Sequence, residues 1–253
     1  DLAITCLAPA GAGPIAVTIV AGGQSSGPVS DLVAYRPPRL DSMTTAEPGA
    51  DYPVVPTAGG SVVLSGDDFA ASATVLVDNA LVPVAARSAT SLVVNMPAGV
   101  GAGHVLEVVQ GGQRSTALVF DRARPTVTAA SPRLVTSGSI LTISGTDFGD
   151  QGTVTVHVGD RVCGSPARTA TTITCIVPPG GGLSEQVTVD IAGQASRDGA
   201  LGPVFVTYLD PVELALLCPC DGPRGGDTRW PDHAAYVACV DLALDGLDGP
   251  DGD

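Results

Sequence analysis

The chain contains no lysine: all 12 of its basic residues are arginine. Schiff-base chemistry and lysine general bases are therefore closed to it. Set against 26 Asp and Glu, those arginines leave a net charge of -14. Nucleic-acid binding needs clustered cations on phosphates, so this balance argues against nucleic acid and against anionic membrane as partners. Aromatics are also scarce, at 4% of the chain against 44% hydrophobic residues. Its cores must be built from Val, Leu, Ile and Ala, which suits thin β layers better than one pocketed globule. No apolar run approaches the roughly 18 residues of a membrane helix, so no membrane insertion is expected. The sequence opens in mid-strand at Asp1 without a charged-then-apolar leader, which reads as a removed leader or a fragment of something longer. Neither asparagine, Asn79 or Asn95, begins an Asn-x-Ser/Thr sequon. Any glycan would sit on oxygen, with Ser42, Thr44, Thr45 and Thr57 as candidates. These four lie in a Pro-containing stretch that reads as a linker, and an undecorated loop is the equal alternative.

What is present is a repeat. The 32 glycines and 21 prolines fall between short apolar runs, where turns belong. Residues 61–69 read SVVLSGDDF and residues 139–148 read SILTISGTDF, aligning Gly66 with Gly145 and Phe69 with Phe148. Each is followed by a short alternating run, TVLV at 74–77 and TVTV at 153–156. Further on, TSLVVNMPAG at 90–99 matches TTITCIVPPG at 171–180, and each leads into a β stretch, a Gly-Gln turn and a closing strand. The second half of the same architecture stands at the start of the chain. LAITCLAPAG at 2–11 aligns Cys6 with Cys175 and Pro9 with Pro178, and the turn Gly22-Gly23-Gln24 and the strand ending at Tyr35 follow. The first half is missing there.

Period-2 alternation in runs of four to seven residues, with turns every eight to twelve, is the pattern of a β-sandwich of roughly 100 residues. The pattern G-S, three or four residues, then SG-x-x-F, then C-x-x-P-x-G, then a closing Phe or Tyr before Pro resembles the IPT/TIG domains of plexins, surface receptors and some glucanotransferases. The resemblance covers residues 1 to about 210 and implies tandem immunoglobulin-like sandwiches without implying an activity. The expected fold class is all-β: a C-terminal half-sandwich at 1-37, full sandwiches at 38-123 and 124-210, and a Cys-rich acidic tail with one short helix at 211-253. The resemblance also implies a disulfide between Cys163 and Cys175. In the second sandwich Val82 or Val84 and Val94 take those places, so packing alone can do the same job.

Six cysteines in a Gly/Pro-rich β protein favour an oxidising, extracellular or cell-surface compartment. Cys6 lacks the half-domain that would hold its partner. In the tail one of Cys218 and Cys220 is expected to pair with Cys239, and the other with Cys6 or a cysteine elsewhere. The helix is read from Tyr236, Val237, Val240 and Leu244, with Asp232 as cap and Gly246 as stop. The set Cys218, Cys220, His233 and Cys239 lacks the usual zinc spacing. Asp241, Asp245, Asp248, Asp251 and Asp253 lack the spacing of a calcium loop and read as a solvated tail. No metal and no cofactor are expected.

No catalytic motif is present either. His104 and His157 fall in or beside strand patterns and His233 in the tail, and no glycine loop precedes a helix. Asp67, Asp68 and Asp147 recur just before the repeated Phe, which points to turn chemistry. The chain is expected not to be an enzyme. Half a sandwich exposes unpaired edges that invite strand addition. The first functional expectation is accordingly a structural subunit of a surface fibre or stalk, copies joining head to tail. Residues 212–217 of one copy would enter the first domain of the next and bring Cys218 or Cys220 near Cys6. The alternative is a ligand- or carbohydrate-binding or adhesion module at the C-terminus of a larger secreted or cell-surface protein, with glycans as partners.

Overall fold

A computed structural model of the chain describes residues 3–44, 47, 50–209, 218 and 232–247. It divides into two compact units, Asp1–Ala123 and Arg124–Asp253. Each contains one complete immunoglobulin-like sandwich, and the first unit also carries the half-sandwich.

In the second sandwich one sheet runs in the order Val84–Arg87, Ser91–Met96, Gly60–Asp67, Arg39–Met43. The facing sheet runs Val54–Val55, Leu118–Arg122, His104–Gln110, Thr74–Val77, Ala80–Val82. Alternation decides which side chains go inward. Leu92, Val94 and Met96 from one strand and Val75 and Val77 from the opposite sheet enter a single buried cluster with Leu64, Leu106, Val108 and Phe120. Leu92 lies opposite Leu64 in the register, so the central strands fill the core pairwise. The hairpin between Thr74–Val77 and Ala80–Val82 turns on Asp78 and Asn79, both left-handed at φ 49 and 66. Two such residues make the turn whose twist matches a β-hairpin.

The third sandwich repeats this plan. One sheet is ordered Gly164–Arg168, Thr172–Ile176, Ile140–Thr146, Thr126–Ser131, Arg197–Asp198. The other is ordered Leu134–Val135, Phe205–Tyr208, Glu185–Ile191, Val154–Val158, Arg161–Val162. The repeated SG-x-x-F motif has a steric cause. A Cβ on Gly66 would lie 1.9 Å from the Arg39 carbonyl oxygen and 2.7 Å from Phe69 Cζ; on Gly145 it would lie 2.0 Å from the Thr126 oxygen and 2.4 Å from Phe148 Cζ. Only glycine lets a neighbouring strand and the buried ring close on the same spot. The aspartates ahead of each ring, Asp68 and Asp147, are left-handed at φ 59 and 58, as turn residues of this type tolerate.

The half-sandwich departs from expectation in one respect. Pro14–Val17 pairs antiparallel with Val29–Ala34, and Val20–Ala21 with Gln24–Ser25, but residues 3–13 form no strand. Among the described residues no strand equivalent to Gly60–Asp67 or Ile140–Thr146 hydrogen-bonds to them. The segment expected as a linker is also corrected. Arg39–Met43 is a strand of the second sandwich, with Ser42 opposite Ser65 and the Thr44 hydroxyl accepting the Val63 amide at 3.0 Å. Thr57 is buried and its carbonyl accepts the Gly99 amide at 2.9 Å, so it is no site for a glycan. Thr45 and residues 212–217 lie outside the described residues.

In the tail the helix runs His233–Leu247, and Asp232 Oδ1 accepts the Ala235 amide at 2.8 Å as an N-cap. Gly246 stands inside the last turn and does not end the helix before it. Asp241 and Asp245 fall on this helix, whereas Asp248, Asp251 and Asp253 lie outside the described residues.

Candidate functional site

A concavity lies in the first unit, where the half-sandwich meets the second sandwich. It is a groove of about 610 Å³ between Gly11, Tyr35 and Arg36 on one wall and Asp68, Phe69 and Ser72 on the other. Two glutamines hold the walls, Gln110 at the end of the His104–Gln110 strand and Gln113 opposite it on the short strand Gln113–Arg114. Gln110, buried, donates from Nε2 to the Asp68 carbonyl at 2.7 Å and accepts the Ala70 amide at 2.8 Å. Gln113 accepts the Gly13 amide at 3.2 Å and donates to the Tyr35 carbonyl at 2.9 Å. A Cβ on Gly13 would lie 2.2 Å from the Gly111 carbonyl oxygen, so the two backbones touch there. The Tyr35 hydroxyl donates to the Pro9 carbonyl, which fixes its ring against Gly11. Each wall is thus clamped by a side-chain amide using both its donor and its acceptor.

Beside the groove a second opening of about 630 Å³ brings Arg36, Arg39 and Arg114 to Asp67 and Asp68. Arg39 reaches Asp41 at 2.8 Å and Asp67 at 2.5 Å, and Arg114 reaches Glu107 at 2.6 Å. The hydrogen bond and charge of Asp41, then the charge of Asp67, raise the Arg39 pKa. Three arginines gather at this edge, two of them paired with carboxylates, so the rim is one of mixed charge.

The histidines do not converge on this groove. His104 Nδ1 meets Asp78 Oδ2 at 2.7 Å, its Nε2 meets the Val100 carbonyl at 3.1 Å, and its ring stacks on Phe120. His157 is on the Val154–Val158 strand of the third sandwich, and His233 opens the helix. Among the described residues no group of three or more His, Cys, Asp or Glu could hold a metal ion, and no helix is long and apolar enough to cross a membrane.

A model of the IPT/TIG domain matches residues 52–121 and 125–208. The chain belongs to the IPT/TIG domain family. No curated protein matches it. Among solved structures it resembles a surface glycan-binding protein from Prevotella bryantii, at 16% identity over 64% of this chain and 41% of that one, TM-score 0.41. The full extracellular region of plexin A4 is 20% identical over 68% of this chain and 18% of its own, TM-score 0.33. A Bacteroides ovatus protein of a mixed-linkage glucan utilization locus, in complex with a mixed-linkage heptasaccharide, is 16% identical over 79% of this chain and 55% of its own, TM-score 0.30. The chain therefore spans less than two thirds of each of these proteins. The likeness is one of fold.

Two of the six cysteines, Cys163 and Cys175, fall within the matched residues. Cys163 and Cys175 are joined across the third sandwich, with Cα atoms 5.7 Å apart, and both are buried. In the second sandwich Val82 and Val94 sit together in the buried cluster. Cys218 is joined to Cys239, Cα atoms 5.9 Å apart, so Cys218 is not available to Cys6. Cys6 is free and exposed, and Cys220 lies outside the described residues.

Sequence reasoning missed the groove residues Tyr35, Arg36, Gln110 and Gln113. The repeated Gly-Gln turn was the available signal for Gln113. What it clamps, 78 residues away in sequence, was not.

Proposed function

We propose that the chain is a non-catalytic binding or adhesion module of a secreted or cell-surface protein, and that its ligand is a carbohydrate bound in the groove at Tyr35. The observation that carries this reading is the groove itself. A half-buried tyrosine ring stands beside an arginine and an aspartate, on walls fixed by Gln110 and Gln113. An aromatic face takes the C–H side of a sugar ring, while a guanidinium and a carboxylate pair with its vicinal hydroxyls. The disulfides and the IPT/TIG framework support the extracellular compartment. The module boundaries we assign are 1-37, 38-123, 124-210 and 211-253.

Calorimetric titration with soluble mixed-linkage and xyloglucan oligosaccharides tests the reading. Binding is expected with the intact chain, reduced at least about tenfold by Tyr35→Ala and retained by Tyr35→Phe, which keeps the ring face. Absence of binding across the glycan panel by the folded chain would overturn it. The head-to-tail fibre depends on residues 212–217, outside the described residues, and on a cysteine reaching Cys6. With Cys218 committed to Cys239, that reading has the weaker support.

A further inference from the structure

The second and third sandwiches diverge between one serine and the closing strand. Ser115 Oγ accepts the Val108 amide and Ser196 Oγ the Val189 amide, both at 3.0 Å, which makes the two serines equivalent. In the second sandwich the chain runs from there straight to Leu118, three residues on, which pairs with Leu106. In the third it needs eight residues to reach Val204, whose carbonyl accepts the Val187 amide.

The longer path adds a strand. Arg197–Asp198 pairs in parallel with Thr126 and Val127 at the edge of the other sheet. The Arg197 amide donates to the Pro125 carbonyl and the Gly199 amide to the Val127 carbonyl, both at 2.8 Å. A Cβ on Gly199 would lie 3.0 Å from that Val127 oxygen and 3.2 Å from Thr128 Cα, so glycine suits this close approach of two backbones.

In the second sandwich the same edge is bare. Leu40 lies opposite Gly66 as Val127 lies opposite Gly145, so Pro38, Arg39 and Leu40 hold the places of Pro125, Thr126 and Val127. Among the described residues no strand pairs with the outer side of Arg39–Met43, and no backbone bond joins Thr116, in the place of Arg197, to Pro38. Pro38 and Thr116 instead line the second opening of about 630 Å³. The space that the third sandwich fills with its own chain is open here. Two of its arginines keep donors to spare. Arg39 meets both Asp41 and Asp67 through Nη2 alone, and Arg36 forms no ion pair among the described residues.

We propose that this opening receives an extended acidic segment of a partner protein, laid parallel to Arg39–Met43 as one more strand. Its amides donate to the carbonyls of Pro38 and Leu40, the pairing that an open sheet edge offers. The register fixes its side chains. The residue in the place of Arg197 stands beside Arg39 instead of Thr126, where a second arginine is repelled and a carboxylate is held. Two residues later comes glycine, for the approach to Leu40. Residues 197–199 of a second copy are a poor source, because they are bonded to their own sheet. Tyr35 does not line this opening, so the inference stands apart from the glycan reading.

The test titrates the isotope-labelled full chain with a blocked hexapeptide, its own residues 196–201 carrying Arg197→Glu, and follows backbone amides by NMR. Saturable shifts are expected at residues 39–43 and not at 126–131. The same peptide with Arg197 kept should bind about threefold more weakly or worse. The glutamate peptide carrying Gly199→Val should lose about tenfold or more. A chain variant with Arg-Asp-Gly-Ala-Leu inserted after Ser115, its fold checked by circular dichroism, should fill the opening itself and no longer respond. No saturable shift at residues 39–43 in the parent chain, or equal binding of all three peptides, would overturn the proposal. So would concentration-dependent shifts at residues 39–43 without peptide, which would assign the edge to a second copy.

Discussion

Asp78 shows how one side chain ties two loops of the second sandwich. Its carboxylate accepts the Val105 amide at 2.9 Å on Oδ1 and meets His104 Nδ1 at 2.7 Å on Oδ2. Burial works to raise its pKa, but the Val105 bond, then the hydrogen bond and charge of His104, hold it below its ordinary 3.8. A carboxylate depressed on folding contributes stability that is present above its unfolded pKa and is lost as pH falls through the folded value. The side chain is 50% exposed, so solvent screens much of the effect. Asp78→Asn is expected to cost about 1 kcal/mol at pH 7. The gap to the parent should narrow below pH 3.8, as read by denaturant titrations at neutral and acid pH. A gap of the same size at both pH values would assign the loss to packing. At this scale the sequence was partly legible. Asp68 and Asp147 could be read as turn residues because they recur beside a glycine and a phenylalanine. Asp78 and His104 could not be read as partners, since their meeting depends on the register between two strands 26 residues apart.

Strands that keep strict alternation were legible, as Ser91–Met96 and Thr172–Ile176 are, with alternate side chains buried. Arg39–Met43 was not. Its register shifts between Leu40 and Ser42, so its two buried residues, Leu40 and Met43, are three apart and the period of two is lost. Residues 3–13 failed for the opposite reason: their pattern is that of a strand, but a strand exists only through its neighbours. The aligned Thr172–Ile176 and Ser91–Met96 elements invite an exchange. Replacing Cys163 and Cys175 together by valine copies the Val82 and Val94 arrangement of the second sandwich. The third sandwich is expected to remain folded and to lose about 3 kcal/mol, the cost of freeing a loop of this length in the unfolded chain. Urea unfolding of the variant against the oxidised parent measures it. Failure of the variant to fold would mean that the sulfurs fill a shape valine cannot.

Across the whole molecule, the repeat made the architecture readable before any contact was known, because each sandwich is specified by its own alternation and turns. The groove stayed hidden because Tyr35 and Asp68 come from different sandwiches and are brought together by glutamines that no local pattern marks. One topological feature has a mechanical side. In each complete sandwich a short early strand runs parallel to the closing one, Val54–Val55 beside Leu118–Arg122 and Leu134–Val135 beside Phe205–Tyr208. Tension on the two ends of such a sandwich slides these strands along their length. The bonds from the Asp121 and Ala123 amides to the Pro53 and Val55 carbonyls, both 2.9 Å, are then loaded together rather than opened in turn. Resistance to stretching becomes a matter of the unfolding barrier, not of equilibrium stability. Once the third sandwich yields, the crosslink between Cys163 and Cys175, 12 positions apart, withholds roughly 40 Å of chain at full extension. Single-molecule stretching with and without reductant should differ by that length in one sandwich and by nothing in the other, so the reach of the chain under load is set by the redox state around it.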